Sequence, residues 1–136
     1  MIPIETRARL HDLIAAYSFG YDELEWDLFG SVWTSDAVLG TVAGELNGPV
    51  EILNWASQRR EAWRDQQVQT RHYQTNSLFN EVAPDVIEGR TLLFIAHQHA
   101  EKPGPELAHT GVYEDTYQLT EDGWKIARRF IRIDHR

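Results

Sequence analysis

The stretch 70–76, Thr-Arg-His-Tyr-Gln-Thr-Asn, places an imidazole near the start of a predicted strand. Side chains alternate between the two faces of a strand, so His72 and Asn76 are expected on the same face. His97 follows 25 residues after His72. If the chain turns near Pro84, the two histidines lie opposite each other on adjacent antiparallel strands. Both imidazoles can then reach one substrate, so the pair predicts general acid–base chemistry.

A simpler interpretation of each histidine stays open. A strand histidine is often partly exposed and has no chemical role. The apolar residues Ile95 and Ala96 precede His97, and they favour a position away from the outer surface. We therefore keep His72 and His97 as candidates for a shared pocket.

Asp22 is the natural partner for His72. A carboxylate that binds one imidazole nitrogen fixes the tautomer and raises the basicity of the other nitrogen. Asp22 can instead be the cap of a short second helix, which is an ordinary role for aspartate. Its neighbour Tyr21 can donate a hydrogen bond to a substrate oxygen, or simply pack in the core.

A metal site is a weaker alternative. His97 and His99 share one face of a strand, and His109 can join them from the next strand. Three imidazoles suit zinc, but no acidic ligand is placed with them by any familiar spacing, so we expect no metal and no other cofactor. On the last strand, either Arg128 or Arg129 is expected to face inwards and hold an anionic group or pair with an acid.

The elements that position these residues change in type along the chain. A first helix runs from a cap at Thr6 to Gly20, which ends or bends it. A short second helix, a hairpin and a third helix carrying Trp55 follow. In the remainder of the chain, the alternation of apolar and polar residues predicts long strands over 71–82, 86–100, 107–119 and 124–134. Helices followed by antiparallel strands give an α+β fold, and strands this long are expected to bend around the helices as a cone with one open mouth.

Composition limits the possible functions. The 136 residues suit one domain, 1–136, and the net charge of −8 disfavours binding to nucleic acid or to anionic membranes. The chain has no cysteine, which excludes disulfides and thiolate chemistry. We expect no leader segment, because the N-terminal residues lack a basic stretch followed by an apolar one, and no apolar run reaches membrane-spanning length. These features predict a soluble cytoplasmic protein whose partner is a small molecule.

Several short segments together resemble the SnoaL-like branch of the nuclear-transport-factor-2-like superfamily. The resemblance covers nearly the whole chain and depends on the order and spacing of these segments. They are 17–27, Trp33-Thr-Ser-Asp-Ala-Val, Leu46-Asn-Gly-Pro, Arg71-His-Tyr-Gln-Thr-Asn76, Gly111-Val-Tyr-Glu-Asp115 and Asp122-Gly-Trp-Lys-Ile126. The family fold is an α+β cone with a highly curved mixed, mostly antiparallel sheet. Its members form dimers or trimers through the outer face of the sheet, which implies the same here with Phe94, Tyr117 and Phe130 facing outwards.

The resemblance also implies roles for site residues. Tyr21, Asp22, His72 and His97 are similar to the tyrosine–aspartate pair and two strand histidines of scytalone dehydratase. Asp22, His72 and Arg129 match the dyad and last-strand arginine of hexachlorocyclohexane dehydrochlorinase. Tyr113 takes the place of an asparagine of the dehydratase, so the resemblance implies the chemistry rather than the substrate.

The combined hypothesis is a cofactor-independent lyase (dehydratase or dehydrohalogenase) or isomerase acting on a small cyclic or aromatic molecule. His72 and Asp22 abstract a proton, while His97 and Tyr21 act on the substrate oxygen or leaving group. Arg129, Tyr113, Asn76 and Trp55 are the expected substrate-binding residues. The alternative is a non-catalytic small-ligand binding protein, or a scaffold like the small subunit of an oxygenase.

Overall fold

The computed structural model describes residues 1–135, and Arg136, the last residue of the predicted domain, lies outside the described residues. The described residues form three helices and six strands, and most of the sheet follows the last helix. They are α1 (Ile4–Asp22), α2 (Trp26–Gly30), β1 (Trp33–Thr41), β2 (Gly44–Asn47), α3 (Gly48–Asp65), β3 (Val68–Ala83), β4 (Val86–His99), β5 (Glu106–Thr120) and β6 (Gly123–Ile133).

The strands form one sheet in the order β2-β1-β6-β5-β4-β3. The pairing of β1 with β6 is parallel, and the other four pairings are antiparallel. Residues of α1, α2 and α3 share one apolar core with the inner face of the sheet, including Leu10, Phe29, Ile52, Leu93 and Ile126. The predicted α+β class and the mixed, mostly antiparallel sheet are confirmed.

The first helix differs from the prediction at both ends. It begins at Ile4 after Pro3, and it continues through Gly20 to Asp22. Gly20 is therefore an interior residue of α1. The short helix α2 begins at Trp26 after Glu25 and has no side-chain cap. The predicted capping role of Asp22 is thus wrong, because its carboxylate is directed to β3 instead.

The register between β3 and β4 also differs from the prediction. His72 lies opposite Ile95, and His97 lies opposite Thr70. The expected direct pairing of the two histidines is wrong because β3 contains two irregularities, after Thr75 and after Glu81, at each of which one residue is skipped. Two extra residues shift the register by two positions, and a shift of two leaves each side chain on its original face.

The outer face of the sheet exposes apolar side chains of β4. Leu92 is 50% exposed and Phe94 is 37% exposed. Tyr117 was expected to face outwards, but it is fully buried and lies opposite Ile87 on the inner face. Within residues 1–135, no helix combines the length and apolar character needed to cross a bilayer.

Candidate active site

The C-terminal end of α1 meets the beginning of β3 through one carboxylate. Asp22 Oδ1 lies 2.8 Å from His72 Nδ1, and Asp22 Oδ2 accepts a 2.7 Å hydrogen bond from the backbone N–H of His72. The Asp22 side chain is 3% exposed and the His72 side chain 10% exposed. The dyad is therefore shielded from bulk water. The hydrogen bonds of Asp22 to the ring and to the backbone of His72 hold the imidazole in one orientation.

Three further side chains hold Asp22 in place, and sequence reasoning did not identify any of them. Thr70 Oγ1 donates a 2.7 Å hydrogen bond to Asp22 Oδ1. Arg60 Nε and Gln69 Nε2 donate to the backbone carbonyl of Asp22, at 3.0 and 3.1 Å. A cation beside the last carbonyls of a helix is favourable. The last turn of α1 is thus tied to both α3 and β3.

The dyad opens onto a cavity of about 370 Å³ between the helices and the inner face of the sheet. This volume is within the usual range for small-molecule sites. The lining is mainly aromatic and aliphatic, and it comprises Tyr17, Tyr21, Thr41, Val42, Ala43, Trp55, Arg59, Trp63, Thr70, His72, Ile95, His97, His109, Tyr113, Ile131 and Ile133. A larger hollow of about 670 Å³, beside Glu88, Arg90 and Glu114, contains none of the predicted site residues.

Tyr21 lies beside the dyad, as predicted. Its ring meets the His72 imidazole edge-on, with 4.9 Å between the ring centroids. Burial raises the pKa of Tyr21 to about 12. The phenol is consequently protonated at neutral pH and can donate a hydrogen bond into the cavity.

His97 and Trp55 both line the same cavity as His72. The His97 imidazole packs on the Trp63 indole, with 4.6 Å between their centroids. Partial burial lowers the pKa of His97, and the neighbouring imidazoles of His109, His72 and His99 lower it further. A neutral His97 can donate one hydrogen bond and accept another, which suits an oxygen or a leaving group of a substrate.

Arg129 is not exposed to the cavity. Its Nε and Nη2 each donate a 2.8 Å hydrogen bond to Asp115, and both side chains of the pair are fully buried. Burial opposes the charge, but Asp115 outweighs burial and raises the pKa of Arg129 above its usual value. Of the two roles predicted for the inward-facing arginine, Arg129 has the pairing with an acid, and it does not line the cavity where a substrate anion would bind.

Two tyrosines separate Arg129 from the cavity. The Arg129 guanidinium carbon lies 4.4 Å from the Tyr17 ring centroid and 4.0 Å from that of Tyr113. Both tyrosines line the cavity, and burial raises the pKa of each. Tyr113 therefore lines the cavity, as expected, and Tyr17 is a further lining residue that was not among the predicted site residues.

Asn76 does not belong to the cavity. It is exposed and adopts a left-handed conformation with φ of 51° at an irregularity of β3. The irregularity interrupts the alternation that was expected to place Asn76 beside His72. Asn76 instead bends the strand, a position for which asparagine is well suited.

The described residues include no group of three His, Asp or Glu side chains arranged to hold a metal ion. His97 and His109 line the cavity, whereas His99 Nε2 lies 3.4 Å from Glu106 Oε2 at the end of its strand. The three imidazoles of the alternative zinc site are therefore not gathered around one point. The donor set of the cavity suits proton transfer and hydrogen bonding.

Comparison with protein-family models gives a match that covers most of the chain. Residues 3–130 match the model of the SnoaL-like domain. Comparison with curated proteins gives no significant match.

Solved structures with the same fold include three informative neighbours. The hexachlorocyclohexane dehydrochlorinase LinA-type3 from Novosphingobium barchaimii LL02 is 22% identical, with a TM-score of 0.81 over 97% of this chain and 88% of that one. ActVI-ORFA from Streptomyces coelicolor is 15% identical, with a TM-score of 0.89 over 98% of both chains. An NTF2-like protein with a cystatin-like fold from Novosphingobium aromaticivorans is 18% identical, with a TM-score of 0.83 over 96% of this chain and 82% of that one.

At these identities the likeness to solved structures establishes the fold and leaves activity to the site itself. The family match spans almost the whole sequence, and the sheet order, the helix placement and the neighbouring structures agree with it. The protein is a member of the SnoaL-like domain family.

Proposed function

We propose that the protein is a cofactor-independent lyase or isomerase that acts on a small cyclic or aromatic molecule. The observation that carries this proposal is the 2.8 Å contact between Asp22 Oδ1 and His72 Nδ1 at the wall of a cavity of about 370 Å³. A buried carboxylate behind an imidazole is an arrangement for abstracting protons.

The proposed mechanism moves one proton between carbon and His72. With Nδ1 donating to Asp22, the other ring nitrogen of His72 is the basic one and takes a proton from a carbon of the substrate. In an elimination, the electron pair of the broken C–H bond forms a double bond and expels the leaving group, which Tyr21 or His97 protonates. In an isomerisation, His72 returns the proton to a different carbon. Asp22 stabilises the imidazolium in both cases.

The lining supports cyclic or aromatic substrates. Trp55, Trp63, Tyr17 and Tyr113 give the cavity flat apolar walls, against which a ring can pack. The structural neighbour named hexachlorocyclohexane dehydrochlorinase is an additional reason to test halogenated rings first.

The first experiment is a turnover screen followed by His72→Ala. Halogenated cyclohexanes would be followed by halide release, and cyclic β-hydroxy ketones by the absorbance of the product enone. We expect His72→Ala to lower kcat by roughly 10²–10⁴-fold, the usual contribution of a general base. The matched control is His135→Ala, because His135 is exposed and lines neither of the hollows that contain His72. Turnover that survives in His72→Ala at the level of the control would contradict the assignment.

A non-catalytic role is the second candidate. The outer face of the sheet exposes apolar side chains in the described chain, such as Tyr73 at 45% and Leu92 at 50%. An exposed apolar patch of this kind is typical of an interface. A protein that binds rings tightly but turns over no compound of the screen would support a binding or accessory role.

The same apolar surface supports self-association. Tyr73 and Phe94 stack on the outer face with 4.6 Å between their centroids and 17° between their planes. We propose that this face is covered by another copy of the chain in a dimer or a trimer. The cavity opens on the opposite face of the sheet, so assembly leaves it accessible.

A further inference from the structure

One stripe of α3 places a cation between two indoles at the cavity. Trp55, Arg59 and Trp63 follow one another at intervals of four residues, which puts them on one side of a helix. All three line the cavity. The Arg59 guanidinium carbon lies 5.3 Å from the Trp55 ring centroid. This wall of the cavity is therefore both aromatic and positively charged.

Arg59 is not neutralised by a neighbour. In the part of the chain from 1 to 135, no carboxylate lies within ion-pairing distance of its guanidinium, whereas Arg64, Arg71, Arg128, Arg129 and Arg132 all form ion pairs. The described lining of the cavity contains no Asp or Glu. The net charge of the chain is −8, so a free guanidinium makes the charge beside the cavity opposite in sign to that of the whole protein.

The charge of Arg59 also affects the pKa of a residue beside the dyad. Burial raises the pKa of Tyr21, and Arg59 acts against that rise. The phenol beside His72 thus experiences the field of the guanidinium. The other basic groups of the lining are the imidazoles of His72, His97 and His109, while arginine keeps its charge at any working pH.

We propose that the natural substrate is an anion, a cyclic or aromatic molecule whose carboxylate is held by Arg59. The ring packs against Trp55 and Trp63, and the reacting carbon faces His72. A planar guanidinium matches the two oxygens of a carboxylate, and aromatic flanks orient the ring. This inference rests on the proposed function and adds the chemical class of its substrate.

The test compares an acid with its neutral analogue. Binding of 2-naphthoate and of 2-naphthamide is measured by titration calorimetry on the full chain. We expect wild-type protein to prefer 2-naphthoate by roughly tenfold, because a hydrogen-bonded carboxylate–arginine contact has about that effect. Arg59→Gln should remove the preference, because it should weaken the binding of 2-naphthoate and leave the binding of 2-naphthamide unchanged. Arg64→Gln is the matched control, since Arg64 is on the same helix, pairs with Asp65 and does not line the cavity.

The outcomes separate this inference from the proposed function. Equal binding of the two probes by wild-type protein, or no 2-naphthoate binding up to its solubility limit, would overturn the anionic class. A preference that persists in Arg59→Gln would overturn the role of Arg59. None of these results depends on turnover, and His72→Ala should still bind 2-naphthoate, so failure of the catalytic proposal appears only in the kinetic screen. Arg59 is exposed, and circular dichroism of Arg59→Gln should match wild type.

Discussion

At the scale of a single residue, protonation of His97 makes the stability of the protein depend on pH. Burial lowers its pKa, as do the imidazoles of His109, His72 and His99, while the carboxylate of Glu106 acts in the opposite direction. The unfolded chain therefore binds this proton more tightly than the folded protein does. In the unfolded chain the pKa of a histidine is about 6.5, and above that pH His97 does not change the stability of the fold. As the pH drops from there through the folded-state pKa of His97, stability falls.

Replacing His97 by Gln should remove this acid sensitivity. We expect the Tm of His97→Gln, relative to wild type, to rise as the pH is lowered from 8 to 5, because the variant has no imidazole there to protonate. Thermal unfolding at several pH values measures this difference. His135→Gln, a change at an exposed residue after β6, controls for the loss of one imidazole. A constant difference between His97→Gln and wild type across the range would show that His97 does not carry the effect.

The residues that the sequence identified are those with reactive side chains. The predicted contact between Asp22 and His72 is present, although their catalytic role stays a prediction. Thr70 was missed because its bond to Asp22 depends on the end of α1 meeting β3, a contact between segments far apart in the chain. Arg59 was missed because a charged helix residue usually faces solvent, and only the folded cavity shows what it faces.

At the scale of an element, Gly20 sets how closely α1 and α2 pack. A Cβ at Gly20 would lie 2.7 Å from both the backbone nitrogen and the Cβ of Phe29. Such distances are shorter than van der Waals contact, and a backbone atom cannot move aside as a flexible side chain can. The two helices therefore need glycine at this position, two residues before the dyad carboxylate.

Gly20→Ala should destabilise the protein by about 1–3 kcal/mol, the usual cost of overpacking. The better helix propensity of alanine offsets part of this cost. Urea denaturation measures the change in the free energy of unfolding. Gly30→Ala is the control, because a Cβ there would have nothing within 4 Å. Equal stabilities for the two variants would show that α1 and α2 can separate without cost.

Element types followed from the sequence more readily than element ends. The change from helical to alternating periodicity predicted the helices and the four long strands, since apolar spacing differs between the two structures. The irregularities of β3 were not predictable, because a skipped residue such as Asn76 has no distinctive sequence pattern. The register between His72 and His97 depends on those irregularities, so it was predicted wrongly.

At the scale of the whole molecule, the sheet separates two environments. Its inner face and the helices enclose the core and the cavity. Strand lengths indicated bending, but periodicity alone could not predict the parallel pairing of β1 with β6. That pairing joins segments about 90 residues apart, and the resemblance to a known family supplied the mixed sheet.

The outer face provides the last prediction, which concerns assembly. Phe94 is 37% exposed and stacks on Tyr73, which is 45% exposed. If another copy covers this face, wild-type protein should be a dimer or a trimer by size-exclusion chromatography with light scattering. Phe94→Glu should shift it to monomer, because an unpaired carboxylate in an apolar interface is costly.

Val50→Glu is the matched control for this assembly. Val50 is 73% exposed but lies on α3 rather than on the sheet, so the change adds the same charge away from the proposed interface. The control should keep the wild-type mass, and circular dichroism should show that both variants remain folded. A monomeric wild-type protein would exclude self-association through the sheet. The exposed residues Tyr73, Leu92 and Phe94 would then require a different partner, as expected for the accessory-subunit alternative.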